Sequence, residues 1–234
     1  MTTKKIAFIL AGGLGKRLRP YTYIIPKPLV PIGDKPILEL IINRLKLSGI
    51  NQIIISTGYK SNYIKAFFGN GSDFGVTIHY VEEDAPLGTF GPVLLAKDLI
   101  GKDDYVILMN GDIYTELNFA NLHNVAITNR HQLTVGYITH NETSRYGVLI
   151  IKNNLIESVV EKPSVERSVS AGIYVFRGDL LTMIPANKYF TVPDLIELLL
   201  NKNSKIGSYH ITDYWMGIEY VDDLNSVINH INSH

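Results

Sequence analysis

The chain has 234 residues, 46% hydrophobic and 19% charged, a composition that fits a folded globular protein and excludes a disordered one. Lys plus Arg and Asp plus Glu balance at 22 each, so no global field points to nucleic acid or an anionic membrane as partner. There is no cysteine, which excludes disulfides, thiolate catalysis and Cys-ligated zinc or iron–sulfur sites. The first apolar run, Ile6 to Leu10, is too short for a signal-peptide core, and no stretch reaches transmembrane length, so the expected location is the cytoplasm.

Short β-branched runs alternate with amphipathic stretches. Lys4–Leu10 reads as a strand. Pro36–Ser48 reads as a helix with Ile37, Leu38, Ile41, Ile42 and Leu45 on one side. Strand Gln52–Ser56, helix Asn62–Phe68, strand Val76–Val81, helix Gly88–Asp98 and strand Tyr105–Met109 follow. These make a β-α-β-α-β-α-β front half, the pattern of a mostly parallel sheet covered on both faces, and helix Leu117–Asn129 and strand Leu133–Ile138 follow it. Farther on, Tyr146–Ile151, Ile156–Val160 and Ser170–Phe176 read as strands with short polar links, and helices return at Val192–Leu200 and Val221–Ile231. With no repeat or linker, residues 1–234 are expected to form one domain.

The loop after the first strand reads Ala11-Gly12-Gly13-Leu14-Gly15-Lys16-Arg17-Leu18-Arg19-Pro20. Glycines there let backbone amides approach phosphates closely. A dinucleotide-binding turn would need a third glycine where Leu18 stands, and a Walker loop would need Ser or Thr where Arg17 stands. Three basic residues sit behind the glycines instead, and Pro20 stops any helix. Pro26-Lys27-Pro28-Leu29-Val30-Pro31 predicts a stiff extended segment that fixes the Lys27 ammonium. Taken alone, the loop reads equally as a surface turn with solvated charges.

Together these segments, with Gly33-Asp34-Lys35-Pro36, resemble the signature of the sugar-nucleotide pyrophosphorylases, a nucleotidyltransferase family. Later landmarks fall in that family's order: Leu87-Gly88-Thr89 opening a helix, Asn110-Gly111-Asp112 after a strand, Tyr146-Gly147, Glu161-Lys162-Pro163 and Ala171-Gly172-Ile173-Tyr174. The resemblance spans nearly the whole chain. It implies an α/β fold, the three-layer α/β/α sandwich of the nucleotide-diphospho-sugar transferases, Rossmann-like with a mixed central sheet. The implied reaction joins a sugar 1-phosphate to a nucleoside triphosphate with release of pyrophosphate, aided by Mg²⁺. Within the family the overall similarity is to guanylyltransferases of D-glycero-α-D-manno-heptose 1-phosphate. Mannose or glucose 1-phosphate is the alternative, and a non-catalytic regulatory relative is a second.

Carried over by motif, Arg17 and Lys27 are the expected catalytic cations. Arg17 would take the β- and γ-phosphates, and Lys27 would bridge the α-phosphate and the sugar phosphate. The expected nucleotide site is Leu10, Ala11, Gly12, Gly13, Gly15, Lys16 and Arg17, with Glu82, Glu83, Gly88, Thr89, Asn110 and Asp112. Lys27, Tyr146, Gly147, Glu161, Lys162, Ala171 and Gly172 would hold the sugar phosphate. In isolation Glu161 and Lys162 read better as a surface ion pair. Asp112, just past an apolar strand, fits a Mg²⁺ ligand, although an aspartate there could merely cap a helix. The family's second metal aspartate, in a Trp-x-Asp-x-Gly pattern, is missing: Trp215-Met216-Gly217-Ile218-Glu219 has glycine in its place. Asp213 could substitute, phosphates and water could complete the shell, or activity could be impaired.

The acidic run Glu82-Glu83-Asp84 bears on the base. A carboxylate can accept from guanine N1–H and N2–H₂ together, donors that uracil and thymine do not present side by side. Glu82 or Glu83 therefore favours GTP.

Overall fold

The computed structural model describes residues 4–186 and 188–233. In chain order the strands are β1 (Lys5–Leu10), β2 (Pro31–Ile32), β3 (Lys35–Pro36), β4 (Gln52–Thr57), β5 (Thr77–Glu82), β6 (Tyr105–Asn110) and β7 (Ile113–Thr115). Then come β8 (Leu133–Thr143), β9 (Val148–Lys152), β10 (Leu155–Val160), β11 (Ser164–Arg177), β12 (Ile206–His210) and β13 (Trp215–Gly217). The α-helices are α1 (Tyr21–Ile24), α2 (Ile37–Leu47), α3 (Ser61–Phe68), α4 (Phe119–Thr128), α5 (Val192–Asn201) and α6 (Val221–Asn232).

Seven strands form one sheet in the order β12-β8-β11-β6-β1-β4-β5. Within it β11 alone runs against its neighbours, pairing antiparallel to β6 and β8. Period-2 side-chain alternation sorts the sheet's residues to two cores. Ala7, Ile9, Ile107, Met109, Ile173 and Val175 join α2, α4 and α6 on one face. Ile6, Phe8, Val106, Leu108, Tyr174 and Phe176 meet α5 and two 3₁₀ segments on the other. Strands buried on both faces need the unbroken apolar runs seen in β1, β4 and β6. Local caps set helix starts: Asn118 accepts from Ala120 N at 3.0 Å before α4, and Thr191 and Asp194 form a reciprocal capping box on α5. No helix among the described residues is long and apolar enough to cross a membrane.

Several elements differ from expectation. The helix expected at Gly88–Asp98 is a 3₁₀ segment at Gly91–Ala96. Pro92 has no N–H to give, and the amides of Phe90 and Gly91 both donate to the Phe190 carbonyl instead of a helical turn. Lys27 lies in a 3₁₀ turn, Lys27–Leu29, rather than an extended segment, because Pro28 sits at its second position with φ already suited to a turn. Strands β8 and β11 run well past the expected Ile138 and Ser170, since polar residues such as Thr139 and Glu142 pair across the ladder with Ser168 and Val165. The short strands β7, β12 and β13 carry too little periodicity to be foreseen.

Candidate active site

The parallel strands deliver their carboxyl ends to one edge of the sheet, and a cleft of about 730 Å³ opens there. Leu10, Gly12 and Gly13 from the β1 loop, Gly58 and Tyr59 after β4, and Glu83 after β5 line it. Gly88, Thr89, Asn110, Asp112 and Tyr189 close it. Among the described residues the amides of Gly12 and Gly13 donate to nothing, whereas Ala11 N is taken by the Ser56 carbonyl at 2.8 Å. Two free amides beside a cleft suit an anion.

Asp112 is set by the turn after β6. Gly111 N donates to the Leu10 carbonyl at 2.8 Å, and a Cβ at 111 would come within 2.6 Å of that oxygen. The turn therefore hugs β1 and aims Asp112 into the cleft. Lys27 Nζ donates to Asp112 Oδ2 at 2.6 Å; the lysine side chain is 13% exposed, the aspartate 34%. The glycine loop packs on the same lysine: a Cβ at Gly15 would meet Lys27 Cβ at 2.9 Å, and Thr22 Oγ1 donates to the Gly15 carbonyl at 2.8 Å. Lys27, Asp112 and the glycine loop are thus one unit.

The two glutamates part ways. Glu83 reaches back to the glycine loop, its Oε1 lying 3.1 Å from where a Cβ of Gly12 would be. It accepts from Ser56 Oγ at 2.6 Å and from Leu87 N at 3.1 Å, which pins the Asp84–Leu87 wall. Glu82 turns to α3, where hydrogen bonds from Lys65 and Ser61 at 2.6 Å hold its carboxyl below the usual carboxylate range. Thr89 Oγ1 accepts from Val192 N at 2.9 Å, and Gly88, at φ 86°, allows the Phe190 carbonyl to pass where a Cβ would clash at 2.6 Å.

Arg17 is exposed beside the loop, paired with Glu219 and lying 5.7 Å from the centre of the Tyr220 ring. Lys16 is exposed and makes no ion pair among the described residues, while Arg19 stacks over Tyr23 at 4.7 Å. Glu219 was not foreseen; a carboxylate where the family pattern has glycine was the available signal. Gly217 pairs with Ile113 in the β13–β7 ribbon, and Ile218 N donates to the Asp112 carbonyl at 2.8 Å. The missing aspartate position is therefore next door to Asp112. No group of three His, Asp or Glu side chains is gathered among the described residues, so neither Asp213 nor another acid builds a preformed cage. One carboxylate with room for phosphate oxygens and water still fits Mg²⁺, which keeps several waters and is commonly bound by one or two carboxylates.

The expected sugar residues are divided. Gly172, at φ 67°, lies against Asn110, whose Nδ2 would be 2.7 Å from an added Cβ, and the Ala171 carbonyl accepts from Trp215 Nε1 at 2.9 Å. Both are at the cleft edge of β11. Tyr146, Gly147, Glu161 and Lys162 are elsewhere, on an exposed arm with Tyr146 at 78% exposure. Gly147 and Glu161 are neighbours there, and Lys162 adopts φ 45° at the bend into β11. Glu161 and Lys162 make no ion pair among the described residues, so the surface-pair reading does not describe them. Gly58 and Tyr59 could have been found by the strand-end rule; Tyr189 reaches the cleft from a distant segment with no local signal.

Residues 6–234 match the protein family described as Nucleotidyl transferase. The chain belongs to that family. It is 33% identical over 229 residues to the mannose-1-phosphate guanyltransferase of Debaryomyces hansenii, covering 93% of this chain and 62% of the relative. The mannose-1-phosphate guanylyltransferase of Mycobacterium tuberculosis is 31% identical, with 95% and 64% covered. The chain thus spans about three-fifths of the length of these curated relatives. Among solved structures, HddC from Yersinia pseudotuberculosis complexed with GMP-PN superposes with a TM-score of 0.75 at 27% identity, covering 97% of this chain and 99% of that one.

Proposed function

We propose that this nucleotidyl transferase moves a guanylyl group from GTP to a manno-configured sugar 1-phosphate, giving a GDP-sugar and pyrophosphate. The observation that carries the reading is the Lys27–Asp112 pair at 2.6 Å, whose aspartate lines a cleft shared with Glu83 and with Gly12 and Gly13. A sugar-phosphate oxygen attacks the α-phosphorus; the bond to the bridging oxygen breaks, and pyrophosphate leaves with the added charge. Catalysis of this kind is positioning plus cationic stabilisation. Lys27 sits between the two reacting phosphates and offsets their repulsion. The Gly12 and Gly13 amides receive the triphosphate. Arg17 exchanges Glu219 for the departing pyrophosphate. Glu83 accepts from the guanine N1–H and N2–H₂ edge while its other lone pairs stay with Ser56 and Leu87. Asp112 would hold Mg²⁺, which supplies charge neutralisation on the phosphates.

The names of the relatives favour mannose 1-phosphate, and overall similarity alone favours D-glycero-α-D-manno-heptose 1-phosphate; both share the manno configuration. A pyrophosphate-release assay with Mg²⁺, four triphosphates and mannose, glucose and heptose 1-phosphates tests the reading. Release only with GTP and a manno-configured acceptor is expected. Equal release with UTP or dTTP, or with glucose 1-phosphate, would contradict it. Gly217 beside Asp112 favours one other reading, a nucleotide-sugar-binding relative without turnover. Tight binding of GDP-mannose with no release from any pair would establish that instead.

A further inference from the structure

The ribbon formed by β8 and β11 leaves the sheet at the same edge as the cleft, because β8 runs with the parallel strands and ends beyond them. From Tyr137, the last β8 residue paired with β12, six further residues carry the ribbon roughly 20 Å outward at the rise of a strand. Its pairing is continuous from Tyr137↔Ser170 to Thr143↔Ser164, so the ribbon runs outward from the sheet as one unit. At its far end β9 and β10 form a separate two-stranded sheet. No residue from 139 to 168 is buried. Among the described residues, the hydrogen bonds and ion pairs of 141–168 reach no residue outside 139–168.

Such a hairpin is marginal by itself. Its side chains are also wrong for water on either face: Leu149, Ile150 and Ile151 are consecutive, and Leu155, Ile156 and Val159 face them, each 49–72% exposed. Strands apolar on both faces are covered on both faces. The exposed aliphatic surface is several hundred Å², on the scale of the about 800 Å² that one partner brings to a stable interface. At the foot of this hairpin stand Glu161 and Lys162, two of the residues expected on the sugar phosphate, remote from the Lys27–Asp112 pair of their own chain.

We infer that the covering partner is a second copy of this chain, and that the arms are exchanged across a two-fold axis so that each cleft is completed by the Glu161 and Lys162 of the other copy. This rests on the nucleotidyltransferase reading of the cleft. Two-fold exchange is self-complementary: each core receives what it lends. It buries both faces of the hairpin and adds Glu161 and Lys162 to the Ala171 and Gly172 already at the cleft edge.

The test is complementation. Arg17→Ala and Lys162→Ala chains carrying different tags are co-expressed, and the doubly tagged species is isolated. If Lys162 acts in the partner's cleft, one of its two sites has an intact core and an intact arm. Turnover returns to about half that of the wild type per dimer, although each variant alone is nearly inactive. If Lys162 acts within its own chain, both sites stay dead and the inference is overturned. Sedimentation equilibrium reads the pairing without activity. The wild-type chain is expected to be a dimer, and the double variant Ile151→Asp/Ile156→Asp a monomer with an unchanged circular dichroism spectrum. A monomeric wild-type chain overturns the exchange. Absence of turnover by the wild type with every substrate pair would sink the nucleotidyltransferase reading, while sedimentation would still judge the pairing.

Discussion

Arg17→Ala separates chemistry from folding. The Arg17 and Glu219 side chains are 60% and 52% exposed, so their ion pair sits in high dielectric. Exposed pairs of this kind contribute about 0–1 kcal/mol. For a chain of this size that is a fall in Tm of less than about 4 °C. The catalytic loss is set by a different quantity: the cationic fork expected on the departing pyrophosphate. Removing one preorganised stabiliser of transition-state charge costs about 100- to 1000-fold in kcat. Steady-state pyrophosphate release and a thermal melt on the same preparation measure both. Glu219→Gln is the control, because it keeps Arg17 and removes the competing carboxylate. It should retain kcat and lower KM for the triphosphate by at most about five-fold, the equivalent of 1 kcal/mol. A kcat for Arg17→Ala within ten-fold of the wild type, with the protein folded, would refute the role given to this arginine.

Lys27→Met keeps the buried stem but strips Asp112 of its cation; since Asp112 is a third exposed, water compensates it and stability should fall by only about 1 kcal/mol while turnover falls at least 100-fold. A melt that collapses together with activity would make Lys27 a structural residue. Glu83→Gln should reduce the preference for GTP over other triphosphates by about 10- to 100-fold, the range of 1–3 kcal/mol assigned to a bidentate base contact. Glu82→Gln should leave that preference unchanged because Glu82 faces α3; competition assays with the reverse outcome would move the base elsewhere. Burial holds His123 below its ordinary value of 6.5, with Nε2 bonded to the Tyr105 carbonyl at 2.9 Å and Nδ1 without a partner among the described residues. The folded state resists protonation there, so its contribution is full above pH 6.5 and is lost as pH falls below it. Melting temperatures from about pH 8 to pH 5.5 should decline less steeply in His123→Leu than in the wild type; identical slopes would assign the decline to other groups.

The front of the site was legible because its residues follow one another. The glycine loop and the strand-end aspartate are local patterns with local physics, and the cleft gathers Gly12, Gly13 and Asp112, whereas the Pro-Lys-Pro stretch suggests an extended segment and is a 3₁₀ turn. Glu82 against Glu83 was not legible, because adjacent strand residues point to opposite faces and register alone decides which meets the cleft. The apolar content of Gly88–Asp98 suits a helix, but Pro92 and the bonds to Phe190 divert the backbone into a 3₁₀ segment. The sugar half was read as motifs without positions. Tyr146 and Lys162 lie on an arm whose length depends on polar β8 and β11 residues that carry no hydrophobic alternation. Glu219 escaped notice because its partner, Arg17, is 202 positions away.

A crystal structure with Mg²⁺ and a non-hydrolysable GTP analogue tests the central assignment most directly. Guanine is expected to present its N1 and N2 donors to Glu83, with the phosphates on the Gly12 and Gly13 amides, Lys27 at the α-phosphate and Arg17 released from Glu219. A nucleotide bound outside this cleft, or with its phosphates away from Lys27 and Asp112, would contradict it.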